Sequence, residues 1–160
     1  MAVNLFDAIQ RKDVESLTEA LAQLSSTFNF NRETFDSEAW GDVTALDFAV
    51  YQEFPEGVIL LLARGVDPNI RSLVIGLTEY GAPLMATPLH YVCRKTGTNN
   101  IRIAQSLLSH GASPNEGDDF LSSPLSYSIK IGNYSLFELL LNNGGDPLKQ
   151  ETYGHVNMDR

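Results

Sequence analysis

The chain has 160 residues, 43% of them hydrophobic and 19% charged, which is enough apolar material for a packed core and argues against disorder. Twenty acids against eleven bases leave a formal charge of −9, which disfavours general binding to nucleic-acid phosphates or to anionic membranes. The single cysteine, Cys93, rules out an intramolecular disulfide framework and a four-cysteine zinc site, so a reducing, cytoplasmic location is the expectation.

In chain order, Met1 to Asp7 meets an acid at once and lacks the basic flank and long apolar stretch of a secretory signal. Leu5 to Leu21 reads as a short helix pair with a polar exterior. A long loop follows, from about Ser25 to Val43, and it carries Trp40, the only tryptophan. From Glu33 to Glu56 the chain holds Glu33, Asp36, Glu38, Asp42, Asp47, Glu53 and Glu56 with no lysine or arginine, so one end of the molecule is acidic. Thr44-Ala45-Leu46-Asp47 opens a second helical unit, whose run Val58 to Ala63 is the longest aliphatic stretch. That run is far short of the roughly 20 residues of a membrane-spanning helix. A second enlarged loop spans about Ile70 to Ala86, and its segment Leu73 to Gly81 is rich enough in β-formers for a small hairpin.

Thr87-Pro88-Leu89-His90 and Ser123-Pro124-Leu125-Ser126 open two further units, in register with Thr44-Ala45-Leu46-Asp47. Each unit continues into a leucine-rich stretch that ends at a glycine: Gly65, Gly111 and Gly144. Thr44 to Gly65 and Ser123 to Gly144 are both 21 positions, and Thr87 to Gly111 is 24. The hydroxyl residue caps a helix, and proline suits its first turn. The core leucine points inward, and the glycine takes the left-handed conformation that closes the second helix. A helix pair of this size cannot bury its apolar face alone and must stack on a neighbour.

These units resemble the ankyrin repeat, with its period of about 33 residues and its signature Thr-Pro-Leu-His-x-Ala. Thr87-Pro88-Leu89-His90 matches that signature, and the units at Thr44 and Ser123 are degenerate copies. The spacings of 43 and 36 residues from Thr44 to Thr87 and from Thr87 to Ser123 place the insertions in loops. The resemblance implies one all-α solenoid over residues 1–160 with about four stacked units and two enlarged loops. Its parts are an end unit and long loop at 1–43, repeats at 44–86 and 87–122, and a last repeat with tail at 123–160. Only twelve residues follow Leu148, and the tail with Tyr153 is expected to fold over the last helix.

The resemblance further implies a non-catalytic module that grips another protein with its concave face and loop tips, as an adaptor, inhibitor or effector. On the helical floor it points to Gln10 and Arg11, Tyr51 and Gln52, Arg94 and Lys95, and Lys130 and Ile131, a mostly basic column. On the rim it points to Trp40 and Asp42, Leu84, and Asp119 and Phe120. The binding residues expected are therefore Trp40, Asp42, Tyr51, Gln52, Leu84, Arg94, Lys95, Asp119, Phe120 and Lys130, with Trp40, Tyr51, Leu84, Arg94 and Phe120 at the centre. No cofactor, metal, nucleic acid or membrane is expected, and the chain alone should be a monomer. Delivery into a host cell is compatible with the same features.

Two alternatives compete with this reading. His90 and Cys93 lie three apart on one helix and could form a nucleophile and base for a hydrolase. In the resembled repeat, however, that histidine ties adjacent loops together. The apolar last helix, with Leu136, Phe137, Leu139, Leu140 and Leu141, could instead make the chain a structural subunit that assembles through its C-terminal end.

Overall fold

Capping side chains set the helix boundaries in the computed structural model, which describes residues 4–25, 28–31, 34–37, 41–74, 84–119 and 122–148. Among these residues the order is α1 (Leu5–Arg11), α2 (Val14–Gln23), β1 (Thr34–Ser37), β2 (Gly41–Thr44), α3 (Ala45–Tyr51) and α4 (Pro55–Ala63). Then come β3 (Ser72–Val74), β4 (Leu84–Ala86), α5 (Pro88–Cys93), α6 (Thr98–Ser109), α7 (Pro124–Lys130) and α8 (Tyr134–Asn142). Asn4, Asp13, Thr44, Ser123 and Asn133 each accept a backbone amide at the start of a helix. Pro88 and Pro124 occupy first helical turns, as their fixed φ and missing N–H favour. Gly65, Gly111 and Gly144 follow the caps of α4, α6 and α8 at φ of +79°, +91° and +87°.

The helices pack in two rows. Each pair packs internally, α1 on α2, α3 on α4, α5 on α6 and α7 on α8. Neighbouring pairs then join through a front row, α1–α3–α5–α7, and a back row, α2–α4–α6–α8. Leu46, Leu89 and Leu125 are buried between them, as their spacing from the caps predicts. They share one core with Ile9, Leu17, Leu61, Ile103, Leu107, Leu136 and Leu140.

The inserted loops are not all irregular. β1 pairs antiparallel with β2, Phe35 opposite Val43, so part of the first expected loop is a hairpin. The segments Thr34–Ser37 and Gly41–Thr44 are short and carry little apolar alternation, so periodicity does not reveal them. In the second insertion β3 pairs with β4, Leu73 opposite Met85. The hairpin expected within Leu73 to Gly81 is therefore wider, its second strand lying at Leu84–Ala86. β2 and β3 pack side by side, and β2 runs directly into the cap of α3 at Thr44.

A ladder of side-chain amides ties the loops behind the second helices. Asn69 donates to Gly111 O (2.8 Å) and accepts from Ser113 N (2.7 Å). Asn115 does the same with Gly144 O (2.7 Å) and Asp146 N (2.8 Å). Asn31 accepts from Asp67 N (3.2 Å). Each loop also closes on itself, the side-chain oxygen of the residue two before accepting a backbone amide: Asn29 from Asn31 N, Asp67 from Asn69 N, Ser113 from Asn115 N, and Asp146 from Leu148 N. The tail at 149–160, with its expected fold over the last helix, lies outside the described residues.

Candidate functional site

The polar groups closest to chemistry are engaged in holding the stack. His90 is fully buried. Its Nδ1 accepts from Thr87 N (3.2 Å) and lies 2.7 Å from the Thr87 hydroxyl. A backbone amide can only donate, so Nδ1 carries the lone pair and Nε2–H donates to Ser122 O at 3.0 Å. Burial holds the imidazole below its ordinary pKa, against the opposing pull of Asp118, so it is kept neutral. The Thr87 hydroxyl meets the imidazole as the Thr44 hydroxyl meets the Asp47 carboxylate, and Thr44 and Ser123 also accept a helix amide. Cys93 is buried, and burial pushes its thiol well above the ordinary range. Burial thus disfavours the thiolate, and both imidazole nitrogens are engaged elsewhere, so nothing here favours a nucleophile and base pair.

In the unit before, Asp47 stands where His90 stands. Its Oδ2 accepts from Thr44 N (3.4 Å), from the Thr44 hydroxyl (2.6 Å) and from the Ser72 hydroxyl of β3. Its Oδ1 is buried without a partner. Burial raises this carboxyl to about 6, although the bonds from Ser72 and Thr44 pull the other way. Among the described residues no cluster of histidine, cysteine and carboxylate side chains could hold a metal ion.

The expected binding residues fall into three groups. Tyr51, Arg94, Lys95 and Lys130 come together at the far ends of the front-row helices. Lys95 Nζ sits 4.2 Å from the centre of the Tyr51 ring, donates to Tyr51 O (2.9 Å) and lies 3.7 Å from Glu53. Arg94 Cζ is 4.8 Å and Lys130 Nζ 5.1 Å from the centre of the Tyr127 ring. Distances of this kind are attractive, and the rings hold the cations in place. The Tyr127 hydroxyl in turn donates to buried Asp118 (2.6 Å), and Lys130 also reaches the Ser122 hydroxyl at 3.2 Å. Gln52 is half-buried beside them as the cap of α3.

Asp119 belongs to a different cluster. One carboxylate oxygen pairs with Arg71 (2.7 Å), and the other accepts from Met85 N (2.9 Å), while Arg71 also donates to Met85 O (3.0 Å). It clamps strand β4 to the loop before α7. Asp42 and Leu84 lie on β2 and β4, but their side chains, like the whole of Trp40 and Phe120, lie outside the described residues.

Sequence reasoning missed Asp118, the Ser72–Asp47 bond and the asparagine ladder. The repeated Asp67-Pro68-Asn69 and Ser113-Pro114-Asn115 are the sequence signal of the ladder. In the first unit Lys12 takes the left-handed position that Glu53 and Gly132 take in theirs, so Gln10 and Arg11 are the counterparts of Tyr51 and Gln52 and of Lys130 and Ile131.

Residues 86–119 match the family model of the ankyrin repeat, and these residues include the Thr87–His90 turn, α5 and α6. This stretch of the chain is an ankyrin repeat. Over 68 residues the chain is 33% identical to an ankyrin repeat and LEM domain-containing protein 1 homolog of Caenorhabditis elegans. That stretch is 42% of this chain and 10% of the relative, so the chain matches only about a tenth of that protein's length. Ankyrin repeats are in general protein–protein interaction modules.

Proposed function

We propose that the four helix pairs are four ankyrin units, and that the chain is a non-catalytic module which grips a protein partner along the front-row helix ends and adjacent loop tips. The observation that carries this reading is the division of labour among polar side chains. His90, Asp47, Asp118 and the ladder asparagines are spent on joining units, while Arg94, Lys95 and Lys130 lie against tyrosine rings and keep part of their surface in water. A rigid stack with a solvent-facing row of pre-set side chains suits recognition. Trp40, Asp42, Leu84 and Phe120 are assigned to the same surface by the repeat resemblance of the sequence alone. Adaptor, inhibitor and effector roles, a cytoplasmic site and a monomeric free state accord with this reading.

The test is recovery of a partner with the intact chain, followed by affinity measurements with Arg94→Ala and with Gln105→Ala on exposed α6 of the back row. The expected result is a loss of at least fivefold for Arg94→Ala and none for Gln105→Ala, with thermal stability of both near the parent. Equal affinities in all three would refute the reading.

A second reading, a subunit that assembles through its last unit, has one observation in its favour. Ile129, Tyr134 and Leu148 of that unit are 57%, 82% and 85% exposed. Sedimentation over a range of concentrations separates the two, since self-assembly through this end predicts a rising mass.

A further inference from the structure

Eight positions define the floor of the front row: those seven and eight residues beyond the caps Thr44, Thr87 and Ser123 and, with Lys12 aligned on Glu53 and Gly132, the matching pair of the first unit. They hold Gln10, Arg11, Tyr51, Gln52, Arg94, Lys95, Lys130 and Ile131. Four of the chain's eleven bases occupy these eight positions, and none of its twenty acids does. A helix C-terminus favours cations, but that alone does not account for the column. The back-row helices α2, α4, α6 and α8 end with no basic residue in their last turns, and only Arg64 and His110 stand at their caps.

In so acidic a chain each base has carboxylates to choose from, and several are paired: Arg71 with Asp119, Arg102 with Glu56, and Lys95 with Glu53. Among the described residues no ion pair includes Arg94 or Lys130. Both lie against the Tyr127 ring instead, with hydrogen-bond donors left over on the solvent side. Holding a long cationic side chain against a ring removes part of the ordering cost of binding an anion.

We propose that this column receives an extended acidic segment of the partner protein, its carboxylates seated on Arg94 and Lys130 and continuing toward Lys95 and Arg11. This rests on the binding reading above and names the chemistry of the partner. Neighbouring helices are about 8–10 Å apart, so the column spans about 25–30 Å, the length of about eight extended residues. The acids elsewhere on the chain repel such a segment and confine it to the column, so binding weakens steeply with salt.

The experiment uses the full chain and a fluorescein-labelled octa-glutamate peptide, followed by anisotropy at low ionic strength, with octa-glutamine and an eight-residue oligouridylate as comparators. The expected order is octa-glutamate far above octa-glutamine and above the oligonucleotide. Arg94→Gln with Lys130→Gln should weaken octa-glutamate at least tenfold, and Arg11→Gln, on an exposed position of another unit, about twofold to fivefold. Arg64→Gln at a back-row cap should leave it unchanged. Octa-glutamate binding no better than octa-glutamine, or stronger binding of the oligonucleotide, overturns the proposal, as does an equal loss from Arg64→Gln. If a recovered partner depends on Arg94 but is indifferent to neutralising its own carboxylates, the acidic segment is refuted and the binding reading survives. If no recovered partner depends on the front row, the binding reading is refuted as well.

Discussion

Asp47, His90 and Ser126 each lie three residues beyond a cap, and each meets the same demand differently. His90 accepts from its cap and donates onward to Ser122 O. Asp47 can only accept when ionised, so the loop must supply the donor, and Ser72 does so. Ser126 turns back to Ser123 and makes no such link. The acid solution has a cost, because a buried carboxylate with one unpartnered oxygen is poorly solvated. Its folded value of about 6 exceeds the ordinary 3.8, so between these values the folded protein holds a proton that the unfolded chain has released. Stability from this group is therefore fullest below about pH 4 and falls as the pH rises to about 6, by up to about 3 kcal/mol. Asp47→Asn should remove that component. The difference in unfolding free energy between parent and variant, measured by urea titration from pH 4 to pH 7.5, should shift in favour of the variant as pH rises. A constant difference would contradict the account.

At the scale of the elements, the loops behind the second helices are joined by amides as well as by the packing of Val66 and Ala112 into the core. Asn69 and Asn115 each bridge two backbone groups of the next loop, whereas Asn31 accepts a single long bond. Removing both bonds of a bridge leaves a glycine carbonyl and an amide to find water, so Asn69→Ala and Asn115→Ala should each cost about 1–3 kcal/mol. Asn31→Ala should cost less, about 0.5–1 kcal/mol. Chemical denaturation of the three variants checks this order. Leu148 stands at the corresponding place in the last unit, closes its own loop on Asp146 and has no amide to pass on.

For the whole molecule, the two rows make stability a matter of neighbours. Leu89 is fully buried in α5, which packs on both α3 and α7, while Ile9 is fully buried in α1, which packs forward only on α3. Leu89→Ala should cost about 2–5 kcal/mol and lower protection throughout the array. Ile9→Ala should open mainly α1 and α2. Hydrogen exchange of the two variants, compared helix by helix, decides this. Uniform loss of protection in both would show that the units do not act as neighbours.

The repeat, the helix pairs, the core leucines and the glycine ends were legible in the residues because capping and periodicity act over a few positions. Thr44, Leu46 and Gly65 carry their roles with them. The β1–β2 hairpin, the asparagine ladder, the Asp47–Ser72 bond and the seating of Lys95 on Tyr51 and Arg94 on Tyr127 were not legible. All of these join residues 25 to 44 positions apart or strands too short to show a pattern. Such partners meet only when one unit is laid on the next, so their identity depends on the stacking of helix on helix and not on any local stretch of chain.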